Sequence, residues 1–336
     1  MNSSATARAR RGPRTRLLAL AALAATGAAV AYVASPATLS DSFPAPTVHG
    51  DPAAWIADSE RRVAAATPIV PGTEKRVLWL DPDTRARTTY AVVYLHGFSA
   101  TRQEVAPFGE LLAGALGANL FETRLSGHGL LENPLAGVRA EDWLEDAAEA
   151  LAIGAALGDH IVLTGTSTGA TLALALSGHE SFEAVSAVLL LSPNFAPADG
   201  RAEFLTWPGG RLLAEMLVGE TRSWTPWNEL QGRYWATSYP TAATVEMMRL
   251  VKYVRSRLPL EIDAPILAFY SPSDTVVDVD RLRAGLARIR APRLQSIEIQ
   301  ESGDPSNHVL AGDILAPGNS HIILEHTVRF LRESGL

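Results

Sequence analysis

The sequence predicts an α/β fold: a mostly parallel central sheet covered by helices on both faces, with a cap inserted late in the chain. Three observations carry this expectation. Strand-type apolar runs alternate with helix-period segments from about residue 76 onward, the pattern of strand–helix–strand crossovers. TTYAVVYLHG at 88–97 holds a continuous apolar run, as a strand buried on both faces does. The alternation breaks only between about Phe195 and Pro259, where four of the seven tryptophans lie.

The chain opens on MNSSATARARRGPRTR, with five arginines (Arg8, Arg10, Arg11, Arg14 and Arg16) and no acid. An apolar stretch, Leu17 to Ala34, follows. A basic flank before such a stretch is the pattern of a secretory signal or a signal anchor. As a helix it would span roughly 27 Å, near the hydrocarbon thickness of a bilayer. Ala29-Val30-Ala31 and Val33-Ala34-Ser35 both offer small residues for cleavage. Cleaved or retained, the segment predicts a body outside the cytoplasmic membrane, secreted or membrane-anchored through 17–34. The plainer alternative is an arginine-rich tail running into a surface helix.

Residues 35–60 are expected to be a proline-rich linker and a lead-in helix, Asp51 to Ala65. The α/β core is then expected over 61–194 and 260–336, and the cap over 195–259. Strands are predicted at 76–80 (RVLWL), 88–97, 119–125 (NLFETRL), the run HIVLTG, 184–194, 265–274 (PILAFYSPSD) and 294–302 (LQSIEIQES). Helices are predicted over 102–116, 142–157, TGATLALAL, TAATVEMMRLVKYV, TVVDVDRLRAGLARI and HIILEHTVRFLRES. No internal repeat is present. In the cap, Trp207, Trp224, Trp227, Tyr234, Trp235 and Tyr239 are expected as a group to line an apolar pocket, since ligand sites bury mostly apolar surface; singly, each could simply pack the cap onto the core.

Composition removes several function classes. Cysteine is absent, so there is no disulfide, no thiol nucleophile and no cysteine–metal site. Net charge is −7, and no basic stripe is interleaved with aromatics, so nucleic acid is not an expected partner.

The chemistry points to LTGTSTGA at 163–170. A strand ending in Gly-x-Ser-x-Gly before a helix makes a sharp turn, because the glycines remove side chains where strand and helix backbones approach. The serine, Ser167, is then held in a strained conformation above the sheet edge. The helix start behind it offers amide N–H groups to a developing oxyanion. The motif alone is weakly specific, and the strand and helix around it are its support.

A serine hydroxyl needs a base, and the base needs an orienting acid. Of eight histidines, His49 is in the linker, His96 and His128 sit in tight turns, and His160 and His179 are on the wrong side of the sheet. His321 and His326 belong to the last helix. His308 follows the last strand, at the edge that Ser167 occupies in a parallel sheet, and is the expected base, with His321 in reserve. Asp274 ends the strand PILAFYSPSD at the same edge and is the expected acid, although a helix-capping role would also suit it. Asp278 and Asp280 are accounted for by a helix start, and Asp304 is a weaker competitor.

The order Ser167, Asp274, His308, with YLHGFSA, RLSGHG, GTSTGA, SPSDTVV and NHVLAGD in sequence over residues 75–335, resembles the α/β-hydrolase superfamily. More narrowly it resembles the capped carboxylesterases and monoacylglycerol-lipase-like serine hydrolases. That resemblance implies an α/β-hydrolase fold, a serine hydrolase and an apolar acyl-ester substrate. It implies an oxyanion hole made by the backbone N–H groups of Phe98 and Thr168, with His96 stabilising the turn. Ser99 and Glu104 are assigned no role. No metal or organic cofactor is expected. Thioester or peptide hydrolysis and acyl transfer could run on the same triad. A serine, not an aspartate, at the elbow disfavours haloalkane chemistry. Rival classes are a non-catalytic membrane-tethered binding protein and a structural envelope protein.

Overall fold

The computed structural model describes residues 38–40, 43–44 and 46–336. The basic flank and the apolar stretch 17–34 lie outside them. Among the described residues, no helix is long and apolar enough to cross a membrane.

The first helix, α1 (Pro52–Ala66), starts where Asp51 accepts a hydrogen bond from the Ala53 N–H and Pro52 occupies the first turn. Both features favour helix initiation. β1 (Arg76–Leu78) and β2 (Thr88–Leu95) follow. The helix expected over 102–116 is shorter than predicted. A 3₁₀ turn covers Arg102–Glu104, and α2 runs only over Phe108–Leu116, with Pro107 as its N-cap and a left-handed Gly117 ending it. Proline has no N–H to continue a helix and disfavours helical backbone in the residue before it. β3 (Asn119–Glu122), α3 (Ala140–Leu157), β4 (Gly158–Thr166), α4 (Thr168–Ala175) and β5 (Val185–Leu191) complete the first half of the core.

The segment after β5 contains a 3₁₀ turn at Gly200–Thr206, α5 (Gly210–Val218), a short antiparallel pair β6 (Thr221–Ser223) and β7 (Ser238–Pro240), α6 (Glu229–Tyr234) and α7 (Thr241–Ser256). β8 (Leu260–Glu261), β9 (Ile266–Tyr270), α8 (Val279–Leu286), β10 (Ile289–Arg290), β11 (Leu294–Glu298) and α9 (Asn319–Glu333) then close the fold.

Seven strands form one sheet in the order β1-β3-β2-β4-β5-β9-β11. Only β1 is antiparallel to its neighbour. The C-terminal ends of β2, β4, β5, β9 and β11 therefore share one edge. Alternate side chains feed two apolar layers. Ala91, Val93 and Leu95 of β2 pack against α3 and α4 on one face, with α7 beyond them. Val92 and Tyr94 join Phe108 and Leu112 of α2 and Phe330 of α9 on the other. This two-sided burial is why β2 reads as an unbroken apolar run.

α4 is buried at every residue. It can lie this deep because Gly165 and Gly169 leave room for backbone. A Cβ on Gly169 would fall 2.0 Å from the Leu95 carbonyl oxygen, and one on Gly165 would fall 2.5 Å from Gly169. Gly169→Ala should therefore destabilise the fold by about 3 kcal/mol or more, because the neighbours are backbone atoms that cannot move aside. Urea unfolding measures this, and wild-type stability in that variant would contradict the close approach.

Candidate active site

The turn between β4 and α4 holds Ser167 at φ 53°, ψ −114°, a backbone region that costs a non-glycine residue strain. Local bonds hold it there: the Ser167 N–H donates to the Leu191 carbonyl at 2.8 Å, and its own carbonyl accepts from Thr171 at 3.0 Å and Asn194 at 3.3 Å. Seven non-glycine residues have positive φ among the described residues, and four of them are at this sheet edge: Ser99, Ser167, Ser192 and Asn307. Each adjoins or is a residue of the site.

Asp274 and His308, on the loops after β9 and β11, meet directly, with His308 Nδ1 2.7 Å from Asp274 Oδ2. The other carboxylate oxygen of Asp274 accepts the N–H groups of Val276 (2.7 Å) and Val277 (3.0 Å). Asp274 thus serves both the imidazole and the turn, one oxygen for each. Burial pushes the His308 imidazole down, but Asp274, Glu104 and Asp304 oppose it and leave the pKa above the ordinary value of 6.5. The His308 loop is tied to the elbow through β5: Ser192 Oγ donates to the His308 carbonyl at 2.7 Å, one residue after the carbonyl that anchors Ser167. Ser167, Asp274 and His308 are all buried.

The other sequence candidates fall elsewhere. Asp304 makes no hydrogen bond to the imidazole ring. It accepts from the Ser306 N–H and hydroxyl and from the His308 and Val309 N–H groups, and so braces the loop. Asp278 caps α8 through the Arg281 N–H, and Asp280 is exposed. His321 is exposed on the first turn of α9.

The loop after β2 presents three consecutive amides. The Gly97 N–H is taken by Glu104 Oε2 at 2.9 Å and the Ser99 N–H by His128 Nε2 at 3.1 Å. The Phe98 N–H between them has no acceptor among the described residues. Thr168 is the first residue of α4, where an N–H has no partner within the helix. These are the two donors the sequence nominated.

Two histidines hold this loop. His96 Nε2 accepts the Leu125 N–H at 3.0 Å and its Nδ1 donates to the Gly97 carbonyl at 2.9 Å. His128 Nδ1 lies 3.1 Å from the Ser126 carbonyl. A ring nitrogen that accepts from a backbone N–H must carry a lone pair, so both rings are neutral with the proton on Nδ1. Burial holds His96 down at about 4 and His128 well below its ordinary value. The rings meet edge to face at 4.9 Å. The sequence placed His96 correctly as a turn residue but missed how His128, 29 residues from Ser99, completes the support; the SGHG turn was its only signal.

The segment over the site splits the expected aromatic group. Trp235 packs with Ala100, Val309 and Leu315, joined by Trp224 and Tyr234, so it rests on the loop after β2 and the His308 loop together. Its neighbour Ala236 donates to the Ser99 carbonyl at 2.7 Å. Tyr239 stands edge-on to Phe98 at 5.2 Å. Trp207 and Trp227 do not join them. They are 58% and 64% exposed, and Trp207 packs its ring on Phe204 instead. A cleft of about 500 Å³ beside Phe43 and His179 and another of about 600 Å³ along α9 both lie away from Ser167. Among the described residues, no three histidine and carboxylate side chains converge as a metal ion would require.

Comparison with known proteins agrees with this fold. The profile described as "Alpha/beta hydrolase family" matches residues 92–333. A thermostable monoacylglycerol lipase of Bacillus sp. (strain H-257) is 29% identical over 188 residues, which is 55% of this chain and 71% of that protein. Among solved structures, one from work on the metagenome-derived lipolytic enzymes LipS and LipT aligns with a TM-score of 0.65 and 20% identity, over 79% of this chain and 99% of that one. The monoacylglycerol lipase of Paleococcus ferrophilus aligns at 0.56 and 13%, over 76% and 98%. At these identities the structural matches show a shared fold.

The hydrogen bonding of the two loop histidines makes a prediction. In ¹⁵N-labelled protein, the His96 and His128 rings should stay in the neutral Nδ1–H tautomer from pH 8 down to pH 5.5. Titration of either ring near 6.5 would contradict the assigned bonds.

Proposed function

The chain belongs to the alpha/beta hydrolase family, and on that premise we propose that it cleaves carboxylic esters with apolar acyl groups through an acyl-enzyme on Ser167. The observation that carries this reading is the 2.7 Å contact of His308 with Asp274 at the same sheet edge as the strained elbow serine. The likeness to a monoacylglycerol lipase supports an ester as the substrate class.

In this reading Asp274 fixes the His308 proton on Nδ1 and leaves Nε2 free to accept the serine proton. Ser167 Oγ attacks the carbonyl carbon while Nε2 takes its proton. Charge on the former carbonyl oxygen is met by the Phe98 and Thr168 amides, which the fold has already oriented, so they need no reorganisation as charge develops. The carbon–oxygen bond to the alcohol breaks and the imidazolium returns the proton to the leaving oxygen. Water then attacks the acyl-enzyme, giving its proton to the same nitrogen. The acid departs and Ser167 is reprotonated.

A fluorophosphonate probe should label wild type at Ser167 and leave Ser167→Ala unlabelled; an active, folded wild type that takes no label refutes the proposal. Asp274→Asn should lower kcat by about 10⁴ in hydrolysis of p-nitrophenyl esters. His308 must be unprotonated to act, and its pKa is raised, so kcat/KM should fall on acidification with a midpoint above 6.5. A midpoint below 6.5 would contradict the electrostatic environment described for His308.

A further inference from the structure

Glu104 is a buried carboxylate that the proposed reaction leaves unused. It closes the 3₁₀ turn after the oxyanion loop and is 3% exposed. Among the described residues, no arginine or lysine pairs with it. Its Oε2 accepts the Gly97 N–H at 2.9 Å and lies 2.9 Å from the Tyr94 hydroxyl, which is itself 3.0 Å from Thr166 Oγ1. Both neighbours belong to the chemistry: Gly97 precedes the free Phe98 amide, and Thr166 precedes Ser167.

The space beside Gly97 shows how close the groups are. A Cβ built there would sit 2.8 Å from Glu104 Oε1 and 3.3 Å from the Ser167 Cβ. The carboxylate and the serine thus face each other across one glycine whose missing side chain keeps them adjacent. A buried carboxyl with no cationic partner is costly, and this fold retains one against the catalytic serine.

We propose that Glu104 is a positioning residue for the ester-hydrolysing site: it sets the Gly97 peptide so that the Phe98 N–H faces the oxyanion. This rests on the serine-hydrolase reading above. The hydrogen bond at Oε2 orients the loop.

The charged groups around the pair are few. Asp274 contacts the imidazole, and Asp304 lies in the His308 loop with its charge spread over four donors. Glu104 comes from the oxyanion side. Burial raises the Glu104 pKa above its ordinary value, against the Gly97 N–H, the Tyr94 hydroxyl and the positive charge of His308, which lower it.

The test uses the full chain, p-nitrophenyl butyrate as substrate, kcat and KM from pH 5 to 9, and thermal melting. Glu104→Gln keeps an acceptor for Gly97 and removes the charge. It should lower kcat at least ~10-fold with KM within about twofold, below the about 10²–10³ lost when an oxyanion donor is removed outright. Its acid limb should move to lower pH, since an anion near His308 is gone. Glu104→Asp keeps the charge and shortens the reach, so kcat should fall while the acid limb stays in place. A merely structural role would change melting alone. Wild-type kcat and an unmoved limb in Glu104→Gln would overturn the proposal; if that variant does not fold, wild-type kcat in Glu104→Asp would do so. A wild type that neither hydrolyses ester nor labels with fluorophosphonate would instead sink the serine-hydrolase reading.

Discussion

The site depends on one close backbone approach. At the end of β4 the chain turns into α4 with Gly169 pressed against the end of β2, where a Cβ would fall 2.0 Å from the Leu95 carbonyl oxygen. No side chain fits at Gly169, and that lets α4 start directly behind the strand. The turn left between them is too tight for an ordinary conformation, so Ser167 takes φ 53°. Strain of this kind costs on the order of 1–3 kcal/mol and persists only where the surroundings over-determine it. Here the surroundings are the Leu191 carbonyl, the Asn194 amide and the buried α4. The elbow serine and the unpaired first amide of α4 are consequences of the same approach.

The neighbouring loops repeat the arrangement. Ser99, Ser192 and Asn307 also have positive φ, and each is held by a specific bond or by its place in a braced loop. His128 takes the Ser99 amide, Ser192 reaches the His308 carbonyl, and Asn307 Oδ1 accepts the Ser302 N–H at 3.1 Å. The covering segment adds a tie at the Ser99 carbonyl and the apolar contact of Trp235 with both the loop after β2 and the His308 loop. The loops that carry Ser167, His308 and the Phe98 amide are thus fastened to one another as well as to the sheet, which is how strained turns stay in register without reorganising.

Much of this was legible in the sequence, for identifiable reasons. The sheet could be read because a doubly buried parallel strand such as β2 needs an unbroken apolar run. Ser167, Asp274 and His308 could be nominated because each follows a strand, and parallel strands bring their C-terminal ends together. The start of α2 was misplaced because helical periodicity continued back through 102–107, while Pro107 allowed only a 3₁₀ turn before it. His128, Asp304 and Glu104 carried no reliable local signal. Their roles arise from partners that only the folded chain brings near, such as the Ser99 amide for His128. Trp207 and Trp227 shared composition with the aromatics that cover the site, and only the path of the chain separates them from it.

The electrostatics of His308 follow from how its three carboxylates are satisfied. Asp304 accepts four donors within its own loop. Asp274 gives one oxygen to two backbone amides and the other to the imidazole. Glu104 receives only the Gly97 amide and the Tyr94 hydroxyl, both at Oε2. All three raise the His308 pKa against its burial, Asp274 foremost and by direct contact. In the proposed reaction, a proton passing from Ser167 to His308 would place positive charge among these carboxylates and negative charge beside the Phe98 and Thr168 amides. A fixed field with that polarity favours a charge-separated stage over the neutral one before it. On that proposal the buried carboxylates, a net cost to the resting fold, would lower the barrier because the charge they answer exists only while the serine reacts.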